Sequence, residues 1–173
     1  PLHYLASDGP HTSWVRQYKD GAFMVETLMT DCVAPKNCEK GLCIDTGSPH
    51  LVVFHPKPLE NFTDFESWAK SIRYSPDFRK KGINVNLVHQ NQNELHMRTY
   101  ERGVEAETWS CGTGTVAAAL CSAGAESLGA HQRTIYTKGG QLSVEFETGP
   151  LGDFHQIRLK GPAVCVFNGA LEI

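Results

Sequence analysis

Cys111 is the residue whose type and surroundings best suit acid–base or nucleophilic chemistry. The charged pair Glu101-Arg102 ends a predicted strand before it, and a run of small and apolar residues that predicts a helix begins at Thr115. A helix N-terminus presents unpaired N–H groups and the positive end of the helix dipole, which bind carboxylates and favour a thiolate. We therefore expect a lowered pKa for Cys111, and we expect Gly112 to let a ligand approach the backbone closely.

Two chemical roles remain open for the Cys111 thiol. A nucleophile needs a base within reach, and His50 is the candidate. A proton carrier at an α-carbon needs groups that neutralise the substrate carboxylate, where charge develops; helix amides and the Arg102 guanidinium supply them. The structural alternative is a buried cysteine that merely caps a helix, an interpretation that suits Cys121 and Cys165 better.

The elements that must position Cys111 centre on one unusual helix. Residues 115–125 are helix-forming but apolar or small on every side, so this helix must be buried all round. We expect an α/β (α+β) fold, with a mixed, strongly curved sheet or barrel wrapped around this helix and Gly129 near its end. A second helix is predicted over 63–74, with a capping box formed by Thr63 and Glu66.

The strands of that sheet follow from alternating and apolar runs bounded by turn residues. The predicted strands are a hairpin within 13–29 that turns at Asp20-Gly21, a buried strand near Ile44 and another over 51–54, two strands over 83–88 and 95–100 that are joined at 91–93, and strands over 142–147, 156–159 and 163–167.

Composition limits the classes of partner. The 173 residues, 40% of them hydrophobic and 20% charged with a net charge of −3, suit one globular domain and no nucleic-acid partner. No apolar run reaches the roughly 20 residues needed to span a membrane. The six cysteines form no C-x-x-C pair, and Cys32, Cys38 and Cys43 lack zinc-site spacing. We therefore expect free thiols in a reducing cytoplasm and no metal site, with a disulfide framework or metal site as the alternative.

Four ordered motifs carry a family resemblance. Residues 100–114 (YERGVEAETWSCGTG), followed by the Ala-rich helix, resemble the C-terminal cysteine motif of the diaminopimelate epimerase family. The stretch 47–50 before a hydrophobic strand, Asn84 within a strand, and 161–169 as a closing strand fit the same family. Residues 8–11 fit the place where the second domain of the family usually begins, so the resemblance covers nearly the whole chain.

The resemblance implies a cofactor-independent isomerase that uses no metal, pyridoxal phosphate or nicotinamide. It would interconvert LL- and meso-diaminopimelate by proton transfer at Cα between two thiols, in lysine and peptidoglycan precursor biosynthesis. Cys111 would be one thiol, and Glu101 and His50 would tune it. The implied substrate-binding residues are Ser48, Asn84, Glu101, Arg102, Gly112 and Thr113, the last two through backbone amides to the α-carboxylate.

The resemblance also implies a partner for this chain. In the family the second cysteine lies in an N-terminal domain, within a Cys-Gly-Asn-Gly-type motif that these 173 residues lack. We expect residues 1–173 to be a single domain, the C-terminal half of such an epimerase, with the N-terminal half absent and the chain alone inactive. The alternatives are an isomerase of another small carboxylate on the same fold, a non-catalytic ligand-binding remnant, and a homodimer in which each copy lends one thiol.

Overall fold

The computed structural model describes residues 1–6, 9–124 and 128–170, so Asp8 of the 8–11 motif lies outside the described residues. Within them the chain forms two α-helices and twelve strands of one mixed sheet. The helices are α1 (Phe65–Arg73) and α2 (Gly112–Ala123). The strands are β1 (Leu2–Ala6), β2 (Gly9–Gln17), β3 (Phe23–Leu28), β4 (Lys36–Cys38), β5 (Gly41–Asp45), β6 (Pro49–Phe54), β7 (Asn84–Asn91), β8 (Glu94–Glu101), β9 (Ala106–Thr108), β10 (Gly129–Thr137), β11 (Gly140–Thr148) and β12 (Phe154–Ala163).

The strand order is β1-β2-β3-β12-β11-β10-β8-β7-β6-β5-β4, with β9 beside β8. Two neighbouring pairs are parallel, β6 with β7 and β8 with β10, and the other pairs are antiparallel. Parallel neighbours need a crossover connection, and each helix supplies one: α1 joins β6 to β7, and α2 lies between β8 and β10. The sheet is open, with β1 and β4 as its edges, so the predicted curved mixed sheet is confirmed in its open form.

Helix α2 is the centre of this sheet. Residues 114–123 are all buried, and α2 contacts strands β5 to β8 and β10 to β12. The predicted central buried helix is therefore confirmed. Helix α1 covers the opposite face of β7, because alternate side chains of that strand point to opposite faces. Val85 and Leu87 pack with Phe65 of α1, whereas Val88 packs with α2. Neither helix among the described residues is long and apolar enough to cross a membrane.

The predicted capping box of α1 is wrong. Asp64 occupies the N-cap position and makes no side-chain capping bond. Glu66 does not reach back to Thr63; its carboxylate instead accepts a hydrogen bond of 2.8 Å from the backbone N–H of Glu107. The side chain that the local sequence pattern assigns to the helix cap is therefore engaged by a donor from a distant part of the chain.

Two boundaries also differ from the predictions. Helix α2 ends at Ala123, with Gly124 following at a positive φ of 55°, and Gly129 begins β10 instead of lying at the helix end. The two strands predicted over 156–159 and 163–167 are one strand, β12, which stops at Ala163. It stops there because its neighbour β3 runs out at Phe23, which pairs with Ala163.

The prediction of free thiols is wrong for one pair of cysteines. Cys38 and Cys43 form a disulfide, with their Cα atoms 6.2 Å apart. Strands β4 and β5 form a tight hairpin in which Lys36 pairs with Cys43 and Cys38 pairs with Gly41. This register brings the two side chains within the range that a disulfide can span. The free cysteines are Cys32, Cys111, Cys121 and Cys165.

Candidate active site

Cys111 lies at the N-terminus of α2, as the sequence predicts. It is the N-cap residue, with an extended backbone at φ −132° and ψ 115°. Its Sγ accepts a hydrogen bond of 3.4 Å from the backbone N–H of Gly114, and its carbonyl oxygen accepts 2.8 Å bonds from the N–H and the hydroxyl of Thr115. The thiol is therefore held over the first turn of the helix, where unpaired donors are concentrated.

The predicted lowering of the Cys111 pKa is wrong in this structure. Burial raises the pKa of the thiol, because only 7% of the residue is exposed, and the nearby charge of Glu101 raises it further. Hydrogen bonds from the Thr113 hydroxyl and the Gly114 amide lower it and oppose the effect of burial. Cys121, deeper in the same helix, shows burial acting alone, which raises its pKa to about 12.

His50 connects to the thiol through Thr113. Its Nε2 lies 3.0 Å from Oγ1 of Thr113, and that oxygen lies 3.6 Å from Sγ of Cys111. His50 is fully buried at the start of β6. Burial, followed by the charge of Arg102, lowers the pKa of His50 to about 3. The imidazole is therefore neutral at physiological pH and reaches Cys111 only through the Thr113 hydroxyl.

Asn86 is the site residue that the sequence analysis missed. Its Nδ2 donates to Nδ1 of His50 and to the carbonyl oxygen of Leu51, both at 3.1 Å, and its Oδ1 accepts a 3.0 Å bond from the hydroxyl of Thr99. Asn86 is fully buried. The available signal was a second asparagine two positions after Asn84 in an otherwise apolar strand, because this spacing places both on one face.

A second group of predicted site residues surrounds Asn84. Its Nδ2 donates to the hydroxyl of Ser48 at 2.8 Å and to the carbonyl oxygen of Pro49 at 3.0 Å. Its Oδ1 accepts the backbone N–H of Arg102 at 2.8 Å. The Arg102 guanidinium donates to the carbonyl oxygen of Lys81 at 3.2 Å and lies 3.5 Å from the Ser48 hydroxyl. Asn84 therefore organises Ser48 and Arg102, and its own amide is already engaged within the chain.

The topology explains why these groups meet. His50 pairs with Asn84 in parallel register, and Asn86 pairs with Thr99 in antiparallel register. The first residues of β6 and β7 and the last residues of β8 therefore lie at the same end of the sheet, where α2 begins. The structure brings the predicted residues to this end: His50, Thr113 and Cys111 in one hydrogen-bonded group, Ser48, Asn84 and Arg102 in another, Glu101 within electrostatic reach of the thiol, and Gly112 as the exposed first residue of α2.

The loop between Arg102 and Cys111 is held by ion pairs. Arg98 donates two hydrogen bonds to the carboxylate of Glu107, at 2.7 and 2.8 Å, and Lys138 contacts the same carboxylate at 2.7 Å. The Glu105 carboxylate accepts bonds from Arg73 at 2.9 Å and Tyr74 at 3.0 Å. These contacts hold the loop that leads to Cys111 in place at Glu105 and at Glu107.

Solved structures define the fold class of this chain. The chain matches a hydroxyproline epimerase from Agrobacterium vitis, with bound trans-4-hydroxy-L-proline, at a TM-score of 0.61 and 14% identity, over 92% of this chain and 55% of that one. It matches a PhzF-family phenazine biosynthesis protein from Bacillus anthracis at a TM-score of 0.55 and 14% identity. This match covers 90% of this chain and 63% of that one. At these identities the likeness concerns the fold alone, which is that of the PhzF and proline-epimerase-like proteins.

Sequence similarity gives the family within that class. Residues 42–163 match the profile of the family described as diaminopimelate epimerase, and the chain belongs to this family. It is 43% identical to the diaminopimelate epimerase of Flavobacterium psychrophilum over 166 residues, which are 95% of the chain and 62% of that relative. It is 42% identical to the diaminopimelate epimerase of Methanocella arvoryzae over 132 residues, which are 75% of the chain and 43% of that relative. The chain thus spans about half the length of the curated relatives it matches, and the predicted family resemblance is confirmed.

Proposed function

We propose that Cys111 is one of two thiols that move a proton at the α-carbon of an amino acid, interconverting LL- and meso-diaminopimelate. The observation that carries the proposal is the thiol at the N-terminus of a helix that is buried from Gly114 to Ala123, held by the Gly114 amide and by the Thr113 hydroxyl. The names of the similar proteins from Flavobacterium psychrophilum and Methanocella arvoryzae supply the substrate. The reaction would serve lysine and peptidoglycan precursor biosynthesis.

In one direction the Cys111 thiolate removes the Cα proton, so that the C–H bond breaks and an S–H bond forms. The electron pair left on Cα spreads into the carboxylate, and a second thiol on the opposite face returns a proton and inverts the centre. In the other direction the Cys111 thiol is the acid. A proton carrier must be available in both forms. Burial favours the thiol, whereas the amide and hydroxyl donors favour the thiolate.

The substrate α-carboxylate is proposed to bind the first-turn amides of Gly112 and Thr113. In an α-helix the first N–H groups have no partner within the helix, and they carry the positive end of the dipole. They therefore lie where negative charge develops as the proton leaves Cα. Arg102 is proposed to add the fixed positive charge, because a guanidinium binds carboxylates in two places at once.

The remaining predicted residues are proposed to act around this core. Asn84 would bind the distal amino-acid end of the substrate and also hold Ser48 and Arg102 in place, and Ser48 would add a further substrate contact. Glu101 would favour the protonated thiol through its charge. His50, which is neutral with a pKa lowered to about 3 by burial, would act on Cys111 through the Thr113 hydroxyl and not as a base.

The second thiol is proposed to come from an N-terminal domain that residues 1–173, as one domain, would complete. Among the free cysteines of this chain, Cys121 is buried in the same helix as Cys111, and Cys32 is buried beside Phe154. Cys165 is exposed in the segment after β12. These positions do not face Cys111 across a substrate. A homodimer that lends one thiol from each copy is the alternative source.

A ligand-protection experiment tests the site without needing the second thiol. The chain is alkylated with iodoacetamide in the presence of LL- or meso-diaminopimelate, and peptides are resolved by mass spectrometry. We expect diaminopimelate to protect Cys111 and to leave the exposed Cys165 unprotected, which serves as the internal control. Protection by a different small carboxylate alone would favour the related isomerase, and no protection by any substrate would favour the non-catalytic remnant.

Turnover is tested separately, by following Cα–H exchange in D2O by proton NMR. We expect no epimerisation by the chain alone. We expect epimerisation when it is joined to the N-terminal part of the Flavobacterium psychrophilum relative. Turnover by the isolated chain would refute the need for a thiol from outside these residues.

A further inference from the structure

The orientation of the Asn86 side-chain amide is fixed by its surroundings. Its nitrogen lies 3.1 Å from the carbonyl oxygen of Leu51, which can only accept a hydrogen bond. Its oxygen lies 3.0 Å from the Thr99 hydroxyl, which can donate. Reversing the amide would bring two oxygens together at Leu51, so the nitrogen must face Leu51 and His50.

This orientation determines which ring nitrogen of His50 carries the hydrogen. The Asn86 N–H group points at Nδ1 of His50, 3.1 Å away, so Nδ1 must be the acceptor. A neutral imidazole with an acceptor Nδ1 carries its hydrogen on Nε2. Nε2 in turn lies 3.0 Å from the Thr113 hydroxyl oxygen and donates to it.

The hydrogen of the Thr113 hydroxyl is thereby directed toward the thiol. With its oxygen accepting from His50, the hydroxyl is free to donate toward Sγ of Cys111, 3.6 Å away. A donor aimed at sulfur stabilises the thiolate over the thiol. Three hydrogen bonds then run in one direction, from the Asn86 amide to the imidazole, from the imidazole to the hydroxyl and from the hydroxyl to the sulfur. The Gly114 amide donates to the same sulfur.

We propose that Asn86 is a positioning residue: it fixes His50 in the Nε2–H tautomer and so orients the Thr113 hydroxyl toward Cys111. The neighbouring helix is built to accept Asn86, because a Cβ atom at Gly114 would lie 2.8 Å from the Asn86 Oδ1. The catalytic consequence rests on the proposed function of Cys111. The hydrogen-bond direction itself does not, and it can be measured without substrate.

The first test reads the tautomer directly. In the 15N-labelled chain, a long-range 1H–15N NMR spectrum distinguishes a ring nitrogen that carries hydrogen from one that does not. We expect His50 to show hydrogen on Nε2 and none on Nδ1. The opposite pattern in the unmodified chain overturns the proposal, and this measurement requires no variant to fold.

The second test compares Asn86→Leu with a matched control, Thr99→Val. Asn86→Leu removes both the donor to His50 and the contact with Thr99. Thr99→Val removes only the donor to the Asn86 oxygen, in the same buried place, and leaves the Asn86 nitrogen held by Leu51. We expect Asn86→Leu to release the Nε2–H tautomer and Thr99→Val to keep it.

The rate of Cys111 alkylation near neutral pH gives the effect on the thiol. We expect Asn86→Leu and Thr113→Val each to slow iodoacetamide alkylation of Cys111 about threefold to tenfold, the effect of losing one hydrogen bond to the thiolate. Thr113→Val should leave the His50 tautomer unchanged. This result separates the hydrogen bond between Asn86 and His50 from the one between Thr113 and Cys111. An Asn86→Leu chain that keeps both the tautomer and the alkylation rate overturns the proposal.

These results are separable from the proposed function. Confirmed tautomer and alkylation effects in a chain that diaminopimelate does not protect would refute the proposed substrate and leave the role of Asn86 intact. Protection by diaminopimelate in a chain whose His50 carries its hydrogen on Nδ1 would support the proposed substrate and refute the role of Asn86.

Discussion

The two ends of α2 both carry a cysteine and buried polar side chains, yet only the N-terminal end is arranged for chemistry. At that end the Cys111 thiol accepts from the Gly114 amide and lies beside the Thr113 hydroxyl. At the C-terminal end Cys121 is buried with nothing that lowers its pKa, which burial raises to about 12. The difference lies in the direction of the helix, since free N–H groups are available at one end and free carbonyl groups at the other.

The polar side chains of the C-terminal end serve packing. The Ser122 hydroxyl donates to the carbonyl oxygen of Ala119 at 2.7 Å and accepts from Nε of the buried Arg133 at 2.9 Å. The Arg133 guanidinium also lies over the Phe146 ring, 5.8 Å from its centre. These contacts join the last turn of α2 to β10 and β11, so polar residues there tie the helix to the sheet.

The largest expected contrast between the two ends is in activity. In the chain joined to the N-terminal part of the Flavobacterium psychrophilum relative, Cys111→Ser should lower the rate of epimerisation by about 10²–10⁴-fold or more, because a serine hydroxyl is a far weaker acid than a thiol. Cys121→Ser is the matched control in the same helix and should retain the rate within a few-fold. Equal losses of epimerisation rate in the two variants would contradict a catalytic role that is specific to Cys111. The measurement is Cα–H exchange followed by NMR.

The next contrast is in the pH dependence of stability. The unfolded chain protonates His50 near pH 6.5, whereas the folded chain does so only near pH 3. The unfolded state therefore binds more protons between these values, and the free energy of unfolding should fall as pH decreases from 6.5 to 3, by about 4–5 kcal/mol in all from this residue. Urea unfolding across this range, compared with His50→Gln, isolates the contribution. If stability depends on pH equally in the two chains, this assignment is contradicted.

A smaller effect should appear at the C-terminal end alone. Ser122→Ala removes the acceptor of the Arg133 Nε–H group inside the protein, which should lower the free energy of unfolding by about 1–3 kcal/mol. Urea unfolding measures this loss. Alkylation of Cys111 under native conditions should proceed at the unmodified rate. A change in that rate would mean that the two ends are coupled along the helix.

The smallest effect should come from Glu101. Its charge raises the pKa of Cys111, so Glu101→Gln should lower that pKa and speed alkylation of Cys111 near neutral pH. The change should be smaller than the slowing caused by Thr113→Val, because desolvation and direct hydrogen bonds act more strongly on the thiol than this charge does. Slower alkylation in Glu101→Gln would contradict the electrostatic assignment.

The sequence predicts the parts of this molecule that depend on composition and periodicity. The all-apolar stretch after Thr115 predicts a central helix, and the alternation in 83–88 and 95–100 predicts two paired strands, because burial imposes those patterns directly. The position of Cys111 at the start of the helix follows from its glycine neighbours. All three features are found in the structure.

The features that the sequence did not predict depend on contacts between distant segments. Glu66 does not form the predicted cap because its carboxylate accepts a hydrogen bond from the backbone N–H of Glu107, 41 residues away in sequence. The raised pKa of Cys111 reflects burial, which no local pattern reports. Asn86 acquires its place from partners on β6 and β8, and the Cys38–Cys43 disulfide depends on the register of a hairpin.

The neighbours of β12 decide when this protein can fold during its synthesis. Arg158 of β12 pairs with Leu28 of β3, which lies far from it in sequence, and β12 also pairs with β11. A ribosome must therefore synthesise β12 before the β1–β3 hairpins can join the rest of the sheet. Contacts between residues so far apart in sequence slow folding. Until β12 joins the sheet, α2 lacks one of the strands that cover it, and part of its apolar surface stays exposed to water.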